Sequence, residues 1–211
     1  MPFSTQEILA IVVAASFAAG LNVYATVATL GLLGRLGGLP LPHSLLLLED
    51  GWVIGGAAAL FALEFVADKI PAFDLLWNAL QTFVRVPIAA LIGYAAAAQL
   101  SPQAQLASAL LAAGIAFLAH SGKLAARAAV TPSPEPFSNS ALSLAEDATA
   151  IGLTWFATAH PYIAAVLALA ALAVILLLIR VIWRALLRVF RGARNQWTRM
   201  KAPPRTPAAA P

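Results

Sequence analysis

Long apolar runs separated by short polar breaks make up most of the chain. The first run, Ile8 to Leu33, has 26 residues. At ~1.5 Å per residue a helix of that length reaches about 39 Å, enough to cross a ~30 Å hydrocarbon core with tilt. It is expected to be the first transmembrane helix, capped by Ser4 or Thr5 with Glu7 in its first turn. Gly34, Gly37, Gly38, Pro40 and Pro42 end it and open a loop to about Glu49. A second stretch, Trp52 to Val66, closes on Asp68, Lys69 and Pro71. A third begins at Asp74 and contains Pro87, whose ring displaces the carbonyl of Phe83 and should kink the helix. After a turn at Ser101-Pro102, a fourth runs from Ala104 to about Val130. The Pro- and Ser-rich TPSPEPFSNS reads as a loop. A fifth helix is expected from about Ala141 to Ala159, with a turn at His160-Pro161. The sixth stretch, IAAVLALAALAVILLLI, has no polar side chain.

Lipid cannot satisfy backbone polar groups and no barrel pattern is present, so each stretch should be helical. The expected fold is an all-α polytopic membrane helix bundle with about six transmembrane helices. It forms one transmembrane domain over 1–201, with a basic amphipathic extension at about 180–201 and a disordered tail over 202–211.

Composition supports this class. Hydrophobic residues make up 61% and charged residues 10%. A soluble domain carries about 25% charged residues, so this chain cannot cover a soluble surface. That excludes a soluble enzyme and a nucleic-acid-binding domain. There is no cysteine, hence no disulfide or thiolate chemistry. The net charge of +4 is a local feature, because eight of the 13 Lys and Arg lie between Arg180 and Arg205. With the first basic residue at Arg35, the amino-terminal run does not read as a cleavable signal peptide. The distribution of basic residues predicts that both termini are cytoplasmic: the inner ends then hold Lys69, Arg85, Lys123, Arg127 and the basic tail, and the outer loops hold only Arg35. The expected location is a bacterial inner membrane.

Ionisable residues inside spans are costly and usually face a bundle interior. Glu64 and Asp68 share a face of the second helix, with Lys69 at its end. Asn78, Gln81 or Thr82, and Arg85 form a stripe on the third. His120, Lys123 and Arg127 follow at helical spacing on the fourth, and Ser143, Asp147, Thr154 and Thr158 recur at near-helical spacing on the fifth, with Glu146 adjacent. On the first helix Ser16, Gly20, Asn22, Thr26 and Thr29 form a small and polar stripe suited to close packing. Asn22 is its most informative member. Glu64, Asp68, Lys69, Arg85, His120, Lys123, Arg127, Glu146, Asp147 and Asn22 are therefore the candidate polar core. Two readings stand: a salt-bridged knot that holds helix ends together, or a polar cavity for an ion or small solute.

The three histidines sit at different levels and make no HxxxH or HExxH pattern, so no metal site is expected. GxSxG and Walker-type glycine loops do not occur, so neither an enzyme nor a cofactor is expected. The tail holds Arg180, Arg184, Arg188, Arg191 and Arg194 within an arc of about 120°. This basic stripe fits the anionic lipids of an inner leaflet, at ~1 kcal/mol per arginine.

The strings AGLNVYATVATLGLLGRLGG, LEFVADKIPAFDLLWNALQTFVRVP and SNSALSLAEDATAIGLTWFATAHP resemble the family named domain of unknown function 4126, over roughly Ile8 to Ala165. The resemblance implies a small multi-pass bacterial inner-membrane protein and implies no activity. From the residues alone, the best function is a transporter-like or channel-like bundle for a small ion or solute. The alternative is a non-transporting scaffold or assembly factor that binds lipid or partner helices. An internal hairpin repeat is also expected, with the second and third helices matching the fourth and fifth. It would bring Arg85 and Asp147 close together, or into a small cavity shared with Lys123 and Glu64.

Overall fold

The computed structural model describes residues 3–37, 41–130 and 136–201. Among these, every regular element is helical. The helices are α1 (Thr5–Leu21), α2 (Val23–Arg35), α3 (Gly51–Ala67), α4 (Pro71–Ala96), α5 (Pro102–Val130), α6 (Pro136–Ala159) and α7 (Pro161–Lys201), with a 3-10 segment at His43–Glu49 before α3.

Local chemistry explains most boundaries. Ser4 caps α1 in a capping box with Glu7, satisfying two otherwise orphaned amides. Asp50 caps α3 through the amide of Trp52. Pro71, Pro102, Pro136 and Pro161 each stand at the start of a helix, where the missing N–H costs nothing. Consequently α4 begins before the expected Asp74, and α6 begins at Pro136, inside the segment expected to be a loop. α4 continues without a break through Pro87.

The first apolar run departs most from expectation. It is not one helix, because Asn22 is extended (φ −152°, ψ 102°) and ends α1 while capping α2. The two halves then double back. Phe3, just before α1, accepts a hydrogen bond from Gln99 at the α4–α5 turn (2.9 Å). Ile8 and Val12 pack with Leu45, Ala96 and Ala97. At the far end of α2, Gly31 lies against Leu48 and Ile54, and Arg35 reaches the carbonyl of Glu49 (3.4 Å). Ile8, Val12, Leu30, Leu45 and Ala96 line one apolar cavity. Both outer ends of the pair therefore meet at the same end of the bundle, and Asn22 is the inserted tip.

Helices α3 to α7 run end to end around this hairpin. α4 and α5 pack along their length, α2 lies on α3, and α1 is surrounded by α4, α5, α6 and α7. The hairpins of the expected repeat, α3–α4 and α5–α6, make only slight contact within each pair. Gly122 and Ala126 of α5 meet Ile175 and Ile182 of α7, so Arg180 and the residues after it leave from the end opposite Phe3. Phe3 and Lys201 thus lie at opposite ends of the bundle.

Leu76–Ala96, Pro102–Arg127 and Pro161–Arg184 are long and apolar enough to cross a membrane. A fourth span is counted if the 3-10 segment and α3, bent by 62°, are taken together. Six such spans are not found among the described residues. α7 is a single helix of 41 residues, ~60 Å long at ~1.5 Å per residue. The basic extension is thus a direct continuation of α7 rather than a separate segment. Residues 202–211, expected to be disordered, lie outside the described residues, as does the side chain of Arg194.

Candidate functional site

The inserted tip meets a buried cluster of charge. α3 buries only Ala57, Glu64 and Ala67 along its length, and the adjoining Asp68 is buried as well. Glu64 and Asp68 are four residues apart and share one helical face. Asn78, Gln81 and Arg85 repeat at helical spacing on α4, as do His120, Lys123 and Arg127 on α5 and Ser143, Glu146 and Asp147 on α6. All of these are buried.

The broken helix organises the cations. Its kink at Asn22 frees the last carbonyls of α1. Arg85 donates through Nη1 to Leu21 O (2.7 Å) and Gly20 O (3.2 Å). Lys123 Nζ also donates to Leu21 O (3.2 Å). Cations at a helix carboxyl end complement its dipole, and the carbonyls there lack intrahelical donors. Gly20 lets this contact form: a Cβ on it would stand 2.6 Å from Ala116 O and 2.7 Å from Ala119 Cβ.

Three carboxylates answer the three cations. Arg85 Nη2 pairs with Glu64 Oε1, and Lys123 Nζ lies 3.2 Å from the same oxygen. Lys123 is also within 3.4 Å of Glu146 and 3.7 Å of Asp68. Arg127 Nη2 bridges Asp68 Oδ2 (2.7 Å) and Glu146 Oε2 (2.6 Å). Ser143 donates its hydroxyl to Asp68 Oδ2 (3.1 Å).

His120 is locked in one tautomer. Its Nε2 lies 2.8 Å from Asn78 O, a pure acceptor, and its Nδ1 lies 3.0 Å from Arg85 Nη1, a pure donor. The proton therefore sits on Nε2 and the ring is neutral.

Asp147 stands apart. Its Oδ1 accepts from Asn22 Nδ2 at 2.9 Å. Asn22 Oδ1 meanwhile accepts from Ala25 N (3.0 Å), capping α2. Asp147 Oδ2 is buried with no partner. Among the described residues no cation pairs with it within 4.0 Å. Arg85 and Asp147 share the cluster but do not bond directly, since Arg85 is taken by Glu64.

Lys69 is the core candidate that does not join. It is exposed, with Nζ on the carbonyl of Phe65 (2.8 Å) and 3.0 Å from the centroid of its ring. The amine has turned outward to its own helix end. Without it, the described side chains of the cluster are four carboxylates and three cations, and Asp147 is the carboxylate that no described cation pairs. Sequence reasoning missed the carbonyls of Gly20 and Leu21 as ligands of the cations. It also missed the Tyr24 hydroxyl, which donates to Gln81 Oε1 (3.1 Å). The available signal was Asn22 itself, a strong capping residue in the middle of an apolar run. Among the described residues no group of three or more His, Cys, Asp or Glu could hold a metal ion.

A helical hairpin inserted among apolar helices, with buried ion pairs at its tip, defines a membrane-type helix bundle of unknown role. The profile of the family described as domain of unknown function (DUF4126) matches residues 9–183, and the chain belongs to that family. Comparisons with curated proteins and with solved structures gave no match.

Proposed function

We propose that the protein is a small transporter-like or channel-like bundle of a bacterial inner membrane, acting on an ion or small solute at the buried cluster. The buried carboxylate of Asp147, which no cation pairs among the described residues, carries this reading. A purely structural knot gains nothing from a fourth carboxylate, since an unpaired buried charge costs several kcal/mol. A broken helix that aims its ends at a buried polar site is a common design for binding ions within a membrane. Irregular backbone such as that of Asn22 is tolerated at membrane depth only where protein or a cavity surrounds it.

On this reading α1 and α2 form a re-entrant hairpin. Lys69 and the arginines of α7 mark the cytoplasmic end, and Arg35 the outer end. The arginines bind anionic headgroups. No catalytic role, cofactor or nucleic-acid partner is proposed.

The test is purified protein in liposomes, assayed for proton, sodium and potassium flux with ion-sensitive dyes, alongside metabolite and ion profiling of a deletion strain. Flux above protein-free liposomes that falls on substitution of Arg85 or Lys123 supports the proposal. Tight liposomes and an unchanged profile refute it. They would favour the second reading, a scaffold that binds lipid or partner helices. That reading draws on the cluster's burial and internal pairing, and on the exposed arginines of the long α7.

A further inference from the structure

The geometry points to Asp147 as a site for one exchangeable proton, taken up on Oδ2 beside the tip of the α1–α2 hairpin. This inference rests on the transport reading and names the ion that the cluster handles.

Every other charged group in the cluster is committed. Glu64 faces Arg85 and Lys123, while Asp68 and Glu146 face Lys123 and Arg127. His120 has both ring nitrogens engaged. The groups around Asp147 are Asn22 from the hairpin, Glu64 and Asp68 from α3, Arg85 from α4, His120, Lys123 and Arg127 from α5, and Glu146 on its own helix. α7 brings no charged side chain before Arg180. Asp147 is 95% buried, with a bonded oxygen and a bare one. Protonation forms one O–H bond on Oδ2 from an incoming hydronium and returns a water. It neutralises the one described carboxylate of the cluster that no described cation pairs.

A metal cation fits less well. It would need several oxygen ligands. Asp147 instead faces the N–H donors of Asn22, and the Asn22 side-chain oxygen is occupied by Ala25 N. The amino end of α2 supplies about half a positive charge. That is enough to keep the ionised form within reach and too little to neutralise it, which is what exchange requires.

The experiment is infrared difference spectroscopy of the full-length protein in lipid, between high and low pH, in H2O and in D2O. Wild type should gain a protonated-carboxyl band that shifts in D2O. Asp147→Asn should lose one carboxyl's share of that band, Asp147→Glu should keep it at a moved frequency, and Asn22→Ala should shift it through loss of the donor to Oδ1. Should Asp147→Asn fail to fold, the Asn22→Ala shift decides. An undiminished band in Asp147→Asn, or an unshifted one in Asn22→Ala, overturns the inference. Flux is scored separately in liposomes. A titrating Asp147 in a protein that carries nothing sinks the transport reading alone. Flux with a silent Asp147 sinks this inference alone.

Discussion

The side-chain amide of Asn22 donates to Asp147 across 125 residues of sequence, at 2.9 Å. One asparagine thus caps α2, ends α1 and fastens the hairpin tip to α6. Among the described residues its partner carboxylate has no cation, whereas Glu64 serves two.

The carboxylates should therefore respond differently to neutralisation. Glu64→Gln leaves Arg85 and Lys123 short of a counter-charge and should cost ~3–5 kcal/mol. Asp147→Asn removes a carboxylate that no described cation pairs and should change stability by less than ~1.5 kcal/mol, on the scale of one net hydrogen bond. Unfolding of both variants in mixed detergent checks this. Equal losses would contradict the charge inventory.

Asn22→Ala removes a cap worth ~0.5–2 kcal/mol and a charge-assisted hydrogen bond worth ~1.5–3 kcal/mol. Asn22→Ser keeps a capping oxygen and should recover the first part only. A serine variant as unstable as the alanine one would show that the cap is not what sets the break.

Gly20→Ala should destabilise by ~1–3 kcal/mol, because the added carbon overpacks against α5. Gly55 has open space around it. Gly55→Ala should be neutral or gain up to ~1 kcal/mol through helix propensity. Melting temperatures of the two variants should move in opposite directions.

The chain has no native cysteine, so single cysteines report topology cleanly. Gln6→Cys and Arg191→Cys, both at exposed positions, should react with a membrane-impermeant thiol reagent from opposite sides. Labelling of both from one side would exclude the re-entrant hairpin.

The basic face of α7 should act on lipid rather than on the cluster. Replacing Arg184, Arg188 and Arg191 with Gln should weaken retention on anionic vesicles by ~1 kcal/mol per residue, with no change on neutral vesicles. Lys69→Met, at an exposed site, should alter stability by no more than ~0.5 kcal/mol.

Membrane class, helical content, the existence of α3 to α7 and most of the buried polar residues were legible in the sequence, because each follows from local rules. Apolar length marks a span, proline and capping residues mark its start, and three- or four-residue spacing puts polar groups on one face. The break that folds the first apolar run into a hairpin was not legible. A 26-residue apolar run satisfies the rule for a span equally well whether straight or folded back. What breaks it at Asn22 is the match between freed backbone groups and distant partners: Arg85 and Lys123 on the carbonyls of Gly20 and Leu21, and Asp147 on the asparagine amide. The departure of Lys69 belongs to the same kind of fact. Its place at the end of the second helix put it among the polar-core candidates, but a side chain at a helix end can turn to either side, and the pairing around it decides which. Residue types and their periodicity determined which charges this protein would have to bury. Tertiary contacts alone decided how those charges pair, and so left Asp147 without a counter-ion among the described residues.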